Sequence, residues 1–208
     1  MRVKYHFVPK KEVVYCLETE SVAQAAQKMK ESGYRCIPVL SKDELKFAGL
    51  VYKVDVLEYL YEQNGTESSP VTSIIEDGHA YVLERDSFFR AFYTIRRLPF
   101  LAVLNDYHQF VGILTHSNVF DVIEDSFGMN TGGYTLTIAT HDNKGTIKEL
   151  GTILKNYNIG GLLTIDNGDQ YVRRIIVNIT DELTEEQLGK LIAKIEKKDF
   201  RISHVDRI

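Results

Sequence analysis

Cys36-Ile37-Pro38-Val39-Leu40, then Phe47-Ala48-Gly49-Leu50-Val51, is an apolar run, a polar break, and a second apolar run carrying one glycine. The phrase returns as Leu98-Pro99-Phe100-Leu101-Ala102-Val103-Leu104, then Phe110-Val111-Gly112-Ile113-Leu114. Pro38 and Pro99 are 61 residues apart, and Gly49 and Gly112 are 63 apart. Tyr52 and Thr115 share that spacing of 63, as do Asp55 and Asn118. Matching the prolines to each other puts a two-residue difference in the polar turn between the runs.

Both copies carry the same local signals. Val13–Leu17 and Ala80–Leu83 are short β-rich runs. Ser21 with Gln24 forms a capping box. Val22, Ala25, Ala26 and Met29 then fall on one helical face, and Gly33 is placed to end the helix. In the second copy Ser87 is expected to cap a shorter helix, Phe88–Ile95. Paired strands follow, Ile37–Leu40 with Phe47–Tyr52 and Leu101–Leu104 with Phe110–Thr115, across the polar turns Ser41–Lys46 and Asn105–Gln109. Helices Val54–Tyr61 and Asn118–Asp125 close the copies. Each is a β-α-β-β-α unit too small for much core alone, so two stacked copies are expected. The polar stretch Asn64–Pro70 links them.

A glycine-rich boundary, Phe127-Gly128-Met129-Asn130-Thr131-Gly132-Gly133, opens a third module at Tyr134. Leu136 and Ile138 alternate with polar residues as in a strand. Ile147, Leu150, Leu154 and Tyr157 mark a helix, stopped by Asn158 and Gly160-Gly161. Leu162–Ile165, the turn Asp166-Asn167-Gly168-Asp169, and Tyr171–Ile179 make a hairpin. Thr184 with Gln187 caps a helix bearing Leu188, Leu191, Ile192 and Ile195, and Phe200–Val205 is the last strand. The order β-α-β-β-α-β is the ferredoxin-like plan. The predicted fold class is α+β, with repeats at 1–64 and 71–127, a linker at 128–133 and the third module at 134–208.

The 208 residues carry a formal charge of −4 and a pI near 5.9. That argues against a chain built to coat nucleic acid, and leaves room for a small anion in a local basic pocket. No apolar run reaches the roughly 18 residues that cross a bilayer. Met1–Glu12 carries charge throughout and shows no apolar signal-peptide core, so a cytoplasmic setting is expected. Cys16 and Cys36 supply neither a disulfide scaffold nor a four-ligand metal site, and both read as small buried hydrophobes. His6, His79, His108, His116, His141 and His204 form no close metal-ligand pair. Phosphate-binding loop, nucleophile-elbow, zinc-protease and dinucleotide signatures are absent, so no enzyme is expected and no metal or cofactor.

The twice-repeated pattern over Val13–Asp125 resembles a pair of cystathionine-β-synthase (CBS) domains. It runs strand, capped helix, Ile-Pro-Val, hairpin with its glycine, then Thr/Ser-x-x-Asp opening a helix. The third module, with Asp142-x-x-Gly145-x-Ile147 after its first strand, resembles an ACT domain. In that order the modules resemble acetoin-utilisation-type regulatory proteins and Gram-positive CBS–ACT proteins that bind cyclic di-AMP.

The resemblance implies adenine-nucleotide binding in clefts between the repeats. A hydroxyl at Tyr52 or Thr115 and the side chain of Asp55 or Asn118 would hold the ribose. Backbone around Ile37-Pro38 and Leu98-Pro99 would read the adenine edge. Both copies depart from the pattern. Tyr52 stands where Thr or Ser is usual, and either blocks its cleft or stacks on a base. Asn118 replaces Asp, removes a charge that repels phosphate, and keeps its hydrogen-bonding capacity. The cleft of Thr115, His116 and Asn118 is therefore the favoured one. Arg96 and Arg97 suit a phosphodiester, or are simply a solvated helix end. Arg35 has the same two readings. Asp142, Asn143, Gly145, Thr146 and Ile147 either receive an amino-acid carboxylate or form an ordinary turn and cap. The resemblance further implies a homodimer that binds an adenine nucleotide, cyclic di-AMP first, and acts on an effector protein of unknown identity. No nucleic acid or membrane partner is expected. An AMP- or ATP-responsive accessory of a metabolic enzyme and a ligand-free dimerisation module are the alternatives.

Overall fold

The computed structural model describes residues 1–61, 65–141, 143–166 and 172–208. Asn64, Asp142, Asn167, Gly168, Asp169 and Tyr171, named above, lie outside the described residues. The chain divides into two units, Met1–Val119 and Phe120–Ile208.

In the first unit a two-residue strand β1 (Val8–Pro9) precedes the first repeat: β2 (Cys16–Leu17), α1 (Val22–Ser32), β3 (Cys36–Leu40), β4 (Phe47–Tyr52) and α2 (Lys53–Tyr61). The second repeat is β5 (Tyr81–Leu83), α3 (Phe88–Thr94), β6 (Phe100–Leu104), β7 (Phe110–Thr115) and α4 (His116–Phe127), whose first turn closes the unit. In each repeat the first strand runs parallel to the second and the last two form an antiparallel hairpin. The α1 capping box forms as expected, and Gly33 ends the helix at φ 74°.

The lead-in segments are exchanged between the repeats. Val8 and Pro9 pair with Ile113 and Gly112 of β7, and Glu76 bridges to Leu50 of β4. This exchange explains the repeated glycine. A Cβ on Gly112 would run into the Val8 carbonyl and the Phe7 ring, and one on Gly49 into Ile75 and the Glu76 carbonyl. Leu40 of the first repeat packs with Ala102, Leu104 and Phe110 of the second, joining the copies.

The ladders correct the match of the prolines. Cys36 pairs with Tyr52 and Val39 with Gly49, while Phe100 pairs with Thr115 and Val103 with Gly112. Cys36 therefore corresponds to Phe100, Pro38 to Ala102, and Pro99 to Arg35. The turns differ by one residue, not two. The two prolines are a local coincidence of composition that the strand register overrides.

Other boundaries moved for local reasons. The β2 strand keeps only the last two residues of Val13–Leu17, because a 3₁₀ turn at Lys10–Glu12 occupies the approach. Ser87 makes no side-chain cap; the Phe88 N–H meets the Met1 carbonyl at 3.5 Å instead. The α3 helix stops at Thr94 and tightens into a 3₁₀ turn, Ile95–Arg97.

The second unit contains β8 (Tyr134–His141), α5 (Thr146–Leu154), β9 (Ile159–Asp166), β10 (Val172–Ile179), α6 (Glu185–Glu196) and β11 (Arg201–Arg207). The sheet order β11-β8-β10-β9, antiparallel throughout, is the ferredoxin-like arrangement. Its core gathers Leu136, Ile138, Leu150, Ile175, Leu191 and Ile195. The Thr184–Gln187 capping box forms. Gly160 and Gly161 do not stop a helix; they lie inside β9. A Cβ on Gly161 would strike the backbone of Ser126–Gly128, and one on Gly160 would strike Asn178 and Thr131. Close passage of that segment over the strand is the reason for the pair. Tyr157 lies beyond the end of α5, packed against the core.

Candidate functional site

The corrected register pairs the residues of the two clefts place by place. At the end of the hairpin stand Tyr52 and Thr115, and three residues on stand Asp55 and Asn118. Opposite them are Cys36 and Phe100. The exchanged lead-ins contribute Glu76-Asp77 to the first cleft and Val8-Pro9 to the second.

At the second position Thr115 and Asn118 carry no charge and hydrogen-bond each other. Thr115 donates both its backbone N–H (3.0 Å) and its hydroxyl (2.9 Å) to Asn118 Oδ1, and the Asn118 N–H returns to the Thr115 hydroxyl at 3.3 Å. His116 Nδ1 lies 3.3 Å from the Pro99 carbonyl. That oxygen can only accept, so the bond requires the proton on Nδ1 and ties the start of α4 to Leu98-Pro99. The same connection in the first repeat is the Lys53 N–H to the Arg35 carbonyl, 2.8 Å. The structure therefore brings Pro99, Thr115, His116 and Asn118 together.

The first cleft is acidic. The Tyr52 hydroxyl donates to Asp77 Oδ2 at 2.6 Å. Burial, then this bond, raises the Tyr52 phenol well above its usual value. Asp55 Oδ2 is buried and has no hydrogen-bond partner among the described residues. Burial, then the charges of Glu76 and Glu58, raises the Asp55 carboxyl. Cys36 is pushed up to about 12 by burial, then by Asp55 and Asp77. Cys36, Glu76 and Asp77 were not foreseen as site residues. The signal for Glu76 and Asp77 is the exchanged lead-in, and for Cys36 its place opposite Tyr52, both revealed only by strand pairing.

Arg96 and Arg97 are exposed on the 3₁₀ turn leading to Leu98-Pro99. With Tyr93 and Thr94 they line a depression of about 530 Å³. Thr115, His116 and Asn118 do not line it. Arg35 is exposed and precedes β3, and Ile37 and Pro38 are buried within that strand.

In the second unit Asn143, Gly145, Thr146 and Ile147 share a cavity of about 220 Å³ with Thr164, Arg173 and Ile175. Gly145 holds φ 96° at the start of α5, and the Thr146 hydroxyl donates to the Asn143 carbonyl at 2.9 Å. Arg173 was not anticipated; it sits on β10 opposite Thr140. Among the described residues no group of His, Cys, Asp and Glu is arranged to hold a metal, and no helix is long and apolar enough to cross a membrane.

Residues 4–62 match the family model of the CBS domain. No curated protein matches the chain. Among solved structures, CbpB in complex with c-di-AMP is 19% identical with a TM-score of 0.55, covering 60% of this chain and 85% of that one. A hypothetical conserved protein of Geobacillus kaustophilus is 25% identical, TM-score 0.55, over 60% and 96%. A CBS domain pair/ACT domain protein of Thermotoga maritima is 20% identical, TM-score 0.51, over 60% and 98%. These likenesses show the fold of the matched part, that of a CBS pair, and the ferredoxin-like unit stands on its own sheet order.

Proposed function

We propose that this protein is a non-catalytic ligand sensor that binds an adenine nucleotide, cyclic di-AMP foremost, in its second cleft. The observation that carries this reading is the charge difference between equivalent places. Asp55, Glu76 and Asp77 of the first cleft are replaced by Asn118, Val8 and Pro9 in the second. An anionic ligand therefore meets fewer carboxylates in the second.

Thr115 and Asn118 would hold the ribose hydroxyls, exchanging their mutual bonds for bonds to ligand. Backbone at Leu98-Pro99 would receive the adenine edge, with His116 fixing that segment. Arg96 and Arg97 would meet phosphate, where two guanidiniums supply charge and bidentate geometry. The likeness to CbpB, solved with c-di-AMP, supports this choice of ligand. The Asn143–Ile147 loop with Arg173 would take an amino-acid carboxylate. The protein would act as a cytoplasmic homodimer, passing occupancy to an effector protein through the difference in ligand affinity between two states.

The test is calorimetric titration with cyclic di-AMP, AMP, ATP and S-adenosylmethionine. Tight binding of cyclic di-AMP alone fits the reading. Preference for AMP or ATP makes the protein an energy-responsive accessory, and no binding makes the clefts structural.

A further inference from the structure

Thr115 closes its hydroxyl within its own repeat, at Asn118. Tyr52, at the same place in the first repeat, does the opposite. From the last residue of β4 its ring reaches across to the lead-in of the second repeat and donates to Asp77. Cys36 stands directly opposite Tyr52 in the β3–β4 ladder, so the two side chains share one face of the sheet. Asp55 and Asp77 both act on that thiol. Tyr52, Cys36, Asp55 and Asp77 thus converge where the second cleft has Thr115, Phe100, Asn118 and Pro9.

We propose that Tyr52 and Asp77 seal the first cleft, so that the chain takes one nucleotide and takes it in the second. Opening the first cleft means breaking a short hydrogen bond to a carboxylate, one of the stronger kinds. It also means moving a half-buried ring, and a phosphate entering there would still face Asp55, Glu76 and Asp77. The stoichiometry rests on the nucleotide reading above; the seal itself does not.

Two measurements separate them. In nucleotide-free protein, a disulfide reagent such as DTNB reports access to Cys36, with fully buried Cys16 as the internal reference. Cys36 should react slowly in the wild type and on the order of tenfold faster in Tyr52→Thr, with Cys16 unchanged. Equal Cys36 rates in the two overturn the seal. If Tyr52→Thr does not fold, Tyr52→Phe removes the donor and keeps both the ring and the Asp77 charge; it should also speed the Cys36 reaction, and an unchanged rate overturns the seal. Calorimetry then uses adenosine, which carries no phosphate for the carboxylates to repel. One adenosine per wild-type chain and two per Tyr52→Thr chain are expected. Two per wild-type chain overturns the seal. Faster Cys36 reaction with no adenosine or nucleotide bound by either protein leaves the seal standing and removes the nucleotide reading instead.

Discussion

Phe47 and Phe110 occupy equivalent places in the two repeats and stack on each other, ring centroids 6.4 Å apart and planes 17° from parallel. The repeat thus packs on its own image. Beside the rings, the Phe110 N–H donates to the Leu45 carbonyl of the first repeat at 2.7 Å. Phe110→Ala removes one ring of the pair and leaves a cavity. Loss of about 3–5 kcal/mol is expected. Chemical denaturation checks it, and a loss below about 1 kcal/mol would mean that the repeats do not depend on this contact.

Glycine substitutions should separate close approach from mere flexibility. Gly112→Ala pushes a methyl into the Val8 carbonyl and the Phe7 ring. It should cost about 1–3 kcal/mol or more by overpacking. Gly151, in the middle of α5, has open space around its Cβ position. Gly151→Ala should stabilise by roughly 0.5–1 kcal/mol. Thermal melts with opposite signs are the expected result.

Asp55 gives a pH signature. Its carboxyl is raised in the folded protein by burial and then by Glu76 and Glu58. A carboxylate raised on folding binds protons more tightly when folded. Its stabilising contribution is therefore complete below the ordinary aspartate pKa and fades as pH rises through the folded value. Asp55→Asn should melt higher than wild type at neutral pH, and the gap should close on acidification. A variant less stable than wild type at neutral pH would contradict this sign.

Asn118 should be electrostatically decisive and structurally replaceable. Asn118→Asp retains the oxygen that accepts both Thr115 bonds, so the melting temperature should barely move. The added charge should weaken an anionic nucleotide by about tenfold at low salt, and less as salt screens it. Titrations at two ionic strengths check this; equal affinity for wild type and variant would place the phosphate elsewhere.

Much of this was legible in the sequence because local chemistry and tertiary role agree. The Ser21 and Thr184 capping boxes, the Gly33 stop and the β-α-β-β-α-β order are local rules that packing leaves intact. Pro38 and Pro99 misled because identity of residue is weaker information than strand register, and register is set by partners far along the chain. Gly160-Gly161 looked like a helix stop because a tight backbone approach from Ser126–Gly128 has no local mark. The Thr115–Asn118 pair was visible through its three-residue spacing. The Tyr52–Asp77 bond was not, because it joins residues brought together only when the lead-in of one repeat crosses to the other.

The most direct test of nucleotide binding in the second cleft is titration of cyclic di-AMP into wild type and Arg97→Ala in parallel. Submicromolar binding by the wild type is expected, weakened about 10- to 150-fold in the variant, the range of a lost charge-assisted hydrogen bond. Absence of binding by the wild type, or unchanged affinity in Arg97→Ala, would contradict the account.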